Sequence, residues 1–185
     1  FGADIKIVSS GRANVLHSEA KKLKTDKDMI VAYGMNSSDP TNFAAFYETT
    51  AMQVQNIPDE LEMLVVTCGS GITSAGIIYG LKKYNKKVNS IILVGNAPNR
   101  VSKIGARLIK LFSYTKVSCW YSKYEYIDLF KDIPYDVRYE NVEWQGIKMH
   151  PHYEAKAFTW FRDHLLNKQG KKLFWIVGAE PELLK

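Results

Sequence analysis

Leu64–Gly80 reads LVVTCGSGITSAGIIYG. An apolar run enters Gly69-Ser70-Gly71-Ile72-Thr73, and a stretch of small residues follows at once. Glycines let a chain turn sharply and let backbone N–H groups come close to a ligand. The first turn of a helix adds unpaired N–H groups and a partial positive charge. A strand, a glycine turn and a helix in that order make a cradle for a phosphate, to which Ser70 and Thr73 add hydroxyl donors. The Walker spelling is absent, since no Gly-Lys-Ser/Thr follows. The dinucleotide spelling GxGxxG fails as well: Ser74 stands at the third glycine, and no acidic residue lies about twenty residues on. A glycine turn that only packs a helix tightly on a strand is written the same way.

The second segment is His150-Pro151-His152-Tyr153-Glu154-Ala155-Lys156-Ala157-Phe158. Pro151 predicts the first position of a helix, which puts Tyr153 and Glu154 in the first turn. A carboxylate there is favoured by the helix dipole, so local sequence alone gives Glu154 a capping role. His17, His150, His152 and His164 are scattered, and no Cys/His spacing reads as zinc, so no metal is expected. Cys68 and Cys119 make no disulfide framework. Cys68 abuts the glycine turn, where a small residue at a strand end is expected in the core. A reducing, cytoplasmic setting is the expectation.

These segments need elements to position them. Asp4–Ser9, Met29–Tyr33, Glu62–Thr67, Val88–Val94, Val117–Tyr121 and Leu173–Val177 read as strands. Ala13–Lys24, Pro40–Asn56 with Asp39 as cap, Thr73–Tyr84, Arg100–Phe112 and Pro151–Leu166 read as helices. Residues 122–150 are the least regular part. Alternation of strands and helices predicts an α/β, doubly wound, mainly parallel sheet with helices on both faces. The nearly all-apolar run at Glu62–Thr67 fits a strand covered on both sides.

Of 185 residues, 46% are apolar and 24% charged, which excludes disorder and low complexity. No apolar run reaches the roughly 18–20 residues of a membrane span, and no membrane association is expected. The chain opens Phe-Gly-Ala-Asp rather than with Met, so the absence of a signal segment decides nothing. The net charge of +6 is unevenly spread: residues 63–124 carry 10 basic side chains and no acidic one. Such a stretch fits an anionic ligand or partner, or a solvated basic surface. Arg100, Lys103, Arg107 and Lys110 recur at helical spacing beside Val101, Ile104, Leu108 and Leu111, as an amphipathic surface helix does. The same cations suit a polyanion, and nucleic-acid contact through the basic 82–116 region is one expectation. Tyr114, Trp120, Tyr121, Tyr124 and Tyr126 nearby fit base stacking or packing at a domain edge.

Together the two segments resemble the fold-type II pyridoxal 5'-phosphate (PLP) enzymes, the tryptophan-synthase-beta superfamily. Within it, 1-aminocyclopropane-1-carboxylate deaminase and D-cysteine desulfhydrase are the most similar in motif. Gly69-Ser70-Gly71-Ile72-Thr73 resembles their GSGGT phosphate loop, and His150–Lys156 their DPVYEGK element. Gly2-Ala3-Asp4-Ile5, Tyr33-Gly34-Met35, Gln55 and Leu173–Val177 with Gly178-Ala179 resemble further stretches, over nearly the whole chain. The resemblance implies PLP held at its phosphate by Gly69, Ser70, Gly71, Ile72 and Thr73. It implies Glu154 at the pyridine nitrogen, Tyr153 as a catalytic proton-transfer or stacking group, and Tyr33 or Asn36 on the substrate side. It implies a small amino-acid substrate, a homodimer, and part of a small lobe with the crossover over 1–56 beside a large cofactor-binding lobe over 57–185.

Departures qualify this. Ile72 replaces a loop glycine, and a β-branched residue resists positive φ, so a changed or degraded cradle is expected. Val177 stands where relatives often carry a hydroxyl. The family's Schiff-base lysine precedes the first strand, and no lysine of 1–185 has that context; the N-terminal part of the fold is expected outside this chain. Lys156 matches a non-catalytic lysine. Three functions follow: a lyase or deaminase acting at an amino-acid α-carbon, a non-catalytic relative that binds a ligand or another chain, and a PLP enzyme whose amino-acid substrate is attached to nucleic acid.

Overall fold

Leu61–Cys68 (β1) is apolar at nearly every position and buried from Leu64 to Cys68. A strand of that kind is stable only with a partner on each edge and a layer on each face. In the computed structural model it has both. The structure describes residues 13–28, 30, 40–98, 100–115 and 124–177. The expected strands Asp4–Ser9, Met29–Tyr33 and Val117–Tyr121 lie outside these, apart from Ile30. So do Asp39, Tyr33, Asn36, Cys119, Trp120, Tyr121 and Gly178-Ala179.

The described elements are α1 (Ala13–Leu23), α2 (Pro40–Gln53), β1, α3 (Ile72–Lys83), β2 (Val88–Gly95), α4 (Arg100–Thr115), β3 (Tyr124–Asp128), β4 (Glu143–Trp144), β5 (Ile147–Lys148), α5 (Glu154–His164) and β6 (Lys172–Trp175). The main sheet has the order β3-β2-β1-β6 and is parallel throughout. β1 is therefore internal, registered Leu64↔Ile91 on one side and Leu64↔Leu173 on the other. The chain builds outward from β1 through β2 to β3, then returns to β1's opposite edge as β6. Strand order thus reverses at β1, the place where open α/β sheets bind ligands at their carboxyl ends.

Alternate residues of each strand feed opposite faces. Leu64, Val66, Ile91 and Leu93 pack with α2, α3 and α4 through Tyr47, Ile77, Ile78, Leu108 and Leu111. Val65, Ile92 and Val94 pack with α5 through Ala157, Phe158 and Phe161. The expected α/β architecture with helices on both faces is present. Among the described residues no helix is long and apolar enough to cross a membrane.

Two expectations need correction. The helix read from Pro151 begins three residues later, at Glu154, with Tyr153 as its N-cap residue. Pro151–Tyr153 form a turn in which the Tyr153 N–H donates to the His150 carbonyl. Residues 122–150 are also more regular than their sequence indicates. They hold β3 and a hairpin of β4 and β5, joined through Gln145 (φ 50°) and Gly146 (φ 81°), the backbone of a type I′ turn. The hairpin's Trp144 rests on Phe158 of α5, ring centroids 5.6 Å apart.

Close approach of α2 to α3 depends on Gly80. A Cβ there would lie 2.7 Å from both Cα and O of Ala51. We expect Gly80→Ala to lower stability by about 1–3 kcal/mol through overpacking. Gly105 in α4 has nothing within 4 Å of an added Cβ, so Gly105→Ala should raise stability by about 0.5–1 kcal/mol. Paired urea melts test both signs.

Candidate functional site

β1 ends at Cys68 and α3 begins at Ile72, so three residues reverse the chain. Gly71 carries the turn: its φ is +81°, and an added Cβ would lie 2.7 Å from Ile104 Cγ1 on α4. The turn therefore needs glycine twice, for its backbone and for the packing of α4 behind it. Ile72 does not disturb it. Positive φ falls on Gly71, while Ile72 takes the first helical position and is absent from the non-glycine residues with positive φ. Of the two expectations for Ile72, a changed or a degraded loop, the structure shows a loop in which positive φ falls one residue earlier, on a glycine, so Ile72 imposes no backbone strain.

The first backbone bond of α3 runs from Ala75 N–H to the Gly71 carbonyl, 3.1 Å. The N–H groups before it have no helical acceptor, and no side chain caps them fully; Ile72 N–H makes a long 3.4 Å contact with Ser70 Oγ. Behind them, Thr67 Oγ1 and Ser74 Oγ are buried, and neither meets a hydrogen-bond partner other than the weak thiol of Cys68 beside Ser74. A native fold seldom leaves two adjacent hydroxyls unsatisfied. Orphan hydroxyls beside a helix N-terminus make a donor set that fits the phosphate of PLP.

A cavity of about 320 Å³ opens there, lined by Thr67, Gly69, Ser70, Gly71, Thr73, Ser74, His150, Tyr153, Glu154 and Val177. The structure thus brings the two sequence segments, distant in the chain, to opposite sides of one cavity. Glu154 is 3% exposed and opens α5. It does not face solvent, and it lines the cavity whose other side is the glycine turn. Tyr153 packs over Gly69, where an added Cβ would meet its ring at 3.4 Å. Ile72 is turned out of this cavity into a neighbouring one.

Several supporting residues had no sequence signal. Asn96, beyond the end of β2, donates from Nδ2 to the Tyr153 carbonyl (3.2 Å) and from its backbone N–H to the Cys68 carbonyl (3.1 Å), tying α5's entry to β1. The Tyr135 and Tyr153 hydroxyls are hydrogen-bonded, and the His150 ring lies 5.2 Å from that of Tyr153. Lys156 is 2% exposed and donates to the Pro134 and Tyr135 carbonyls at 3.0 and 3.1 Å. Burial holds its ammonium below the ordinary lysine range. It secures the loop that carries Tyr135. Burial pushes the Cys68 thiol up, which suits a core residue and not a nucleophile.

The aromatic candidates near the basic stretch are mostly structural. Tyr126 occupies the space that a side chain at Gly95 would take, and its hydroxyl donates to the Ala97 carbonyl at 3.0 Å. Burial raises its phenol well above the usual range. Tyr124 packs on the core, and Tyr114 meets Phe43 edge-on. Among the described residues no three His, Cys, Asp or Glu side chains gather as a metal-ligand set.

A family profile described as pyridoxal-phosphate dependent enzyme matches residues 1–116. The O-seryl-dTMP PLP-dependent decarboxylase of Salmonella phage ViI is 26% identical to this chain over 240 aligned residues. The match covers 98% of this chain and 56% of that relative, so the chain spans little more than half the relative's length.

The orphan hydroxyls give a test that separates ligand binding from folding. Deleting a buried, unsatisfied hydroxyl removes a desolvation cost. Ser74→Ala should therefore match or exceed the parent in thermal stability without cofactor, yet bind PLP roughly tenfold more weakly. Calorimetry of the cofactor-free proteins and PLP titration read the two effects. A destabilised cofactor-free variant would show that the hydroxyl serves the fold instead.

Proposed function

The chain belongs to the pyridoxal-phosphate dependent enzyme family, and on that premise we propose a lyase-type reaction at the α-carbon of an amino acid carried on a nucleotide, with loss of carbon dioxide. The observation that carries the reading is the shared cavity. A buried carboxylate, Glu154, and the unpaired N-terminus of α3 face one space large enough for a small cofactor. PLP, when bound, supplies an electron sink for the pair left behind when a bond to the α-carbon breaks.

In this reading the N–H groups of α3's first turn, with Thr67, Ser70, Thr73 and Ser74, hold the cofactor phosphate. Gly69 and Gly71 leave room for that close approach. Glu154 holds a proton at the pyridine nitrogen. Loss of the carboxylate as carbon dioxide leaves the α-carbon in need of one proton. Tyr153 delivers it, and its hydrogen bond to the exposed Tyr135 gives a path for resupply from water. The relative's printed activity supports decarboxylation and a nucleotide-borne serine. The deaminase and desulfhydrase chemistries of the resembling enzymes use the same electron sink and differ in the bond broken.

The complete protein with PLP, incubated with a thymidine oligonucleotide bearing an O-seryl group, should release carbon dioxide and lose the corresponding mass. Release of ammonia instead would favour the deaminase branch, and no turnover of this or of free amino acids would overturn the proposal. Glu154→Gln should retain PLP, because the phosphate dominates its binding, yet lower turnover by about a hundredfold or more. A purely helix-capping Glu154 predicts a stability loss of about 1 kcal/mol or less and unchanged turnover.

A further inference from the structure

A second cavity, about 540 Å³, adjoins the first and shares Gly69, Ser70 and Tyr153 with it. Its far wall is cationic: Arg100, Lys103 and Arg107 of α4 line it together. Their spacing sets all three on one helix face. The wall's opening is aromatic. Phe130 and Tyr135 line it and are 36% and 45% exposed, high values for large rings.

Neutralisation distinguishes this wall from the rest of the basic region. Lys83 and Lys86 pair with Glu48 (2.6 Å) and Asp59 (3.0 Å). They also lie beyond the other end of β2, whose eight residues span roughly 23 Å. Among the described residues, Arg100, Lys103 and Arg107 form no salt bridge. Arg100 Nε is buried without a hydrogen-bond partner. A buried, unpaired guanidinium nitrogen is costly unless an anion completes it. The cofactor phosphate is not the obvious anion, since α3's N-terminus and its hydroxyls already suit it. Arg107 approaches the phosphate turn from behind: its Nη1 lies 4.0 Å from where a Gly71 Cβ would be.

We propose that this cavity is a nucleotide subsite. Arg100 and Lys103, backed by Arg107, take a phosphate, and Phe130 and Tyr135 stack on the adjoining pyrimidine. Tyr153 marks the junction, so an amino-acid group reaching the first cavity stays joined to a nucleotide in the second. The inference rests on the nucleotide-linked reading above and assigns residues to it. A free nucleotide and a DNA strand offer the same phosphate and base.

The test uses the complete protein with PLP, a fluorescein-labelled thymidine oligonucleotide read by anisotropy, and free dTMP or inorganic phosphate as competitors. Lys103→Glu and Phe130→Ala alter exposed side chains, so both should fold and keep the parent's PLP absorbance. Lys103→Glu should weaken binding about tenfold or more and reduce the salt slope by about one. Phe130→Ala should weaken it about fivefold or more with an unchanged salt slope. Displacement by dTMP would identify a mononucleotide site; displacement only by unlabelled oligonucleotide would identify a strand site. Either supports the subsite. Inorganic phosphate competing as well as dTMP would overturn the base contact. If the parent binds the oligonucleotide and neither variant changes affinity, the subsite is wrong while the nucleotide-linked reading survives. A parent that holds PLP but binds neither nucleotide nor oligonucleotide would overturn both.

Discussion

Gly71 holds a left-handed backbone between β1 and α3, with Ile104 of α4 pressed against the place a side chain would fill. That one geometry lets an internal, largely apolar strand stop and a helix start within three residues. It leaves the helix's first N–H groups pointing into a cavity and not into solvent-capped loop. It also draws α4 close behind the turn, which brings Arg107 near it. A residue with a Cβ at this position would strain the backbone and push α4 away together, so the cavity at the end of β1 and its cationic neighbour rest on the same glycine.

The opposite wall depends on α5, which approaches from the other face of the sheet. Its first residue is a buried carboxylate and its third a buried ammonium. They serve different spaces. Glu154 faces the cavity at the end of β1, while Lys156 is spent on the Pro134 and Tyr135 carbonyls. Burying two ionisable groups so close together is stable only with specific partners. The loop at 134–135 is thereby fixed to the helix, and Tyr135 is brought into hydrogen-bond contact with Tyr153. Support for Tyr153 thus comes through a lysine that does not line the cavity.

Charge is divided by the length of the sheet. The basic stretch contributes Lys83 and Lys86 to one end, where α2 and the turn before β1 supply acids. At the other end, α4 contributes cations to a wall facing aromatic side chains. The same run of sequence therefore has a structural half and a half suited to an anionic ligand. Under the proposed nucleotide subsite, the nucleic-acid contact expected of 82–116 would fall on the helix that starts at Arg100.

Local sequence settled much of this protein. The mostly apolar stretches Glu62–Thr67 and Val88–Val94 identify buried strands, because hydrophobic burial acts on each side chain wherever it sits. Gly69–Thr73 identifies a turn into a helix, because φ preferences are properties of single residues. The resemblance of two motifs pointed to PLP, and the family match agrees. What sequence could not supply was register between distant segments. Tyr124–Asp128 lacks a long apolar run and forms a strand only because β2 offers an edge. Pro151 looks like a helix start, yet tertiary hydrogen bonds hold 151–153 in a turn. Tyr135 and Asn96 carry no local mark of their roles. Whether Arg100 and Lys103 were an amphipathic surface or a cavity wall depended on where Phe130 and Tyr135 fold back. That shared cavity joins residues about 30 positions apart, and only the folded sheet decides it.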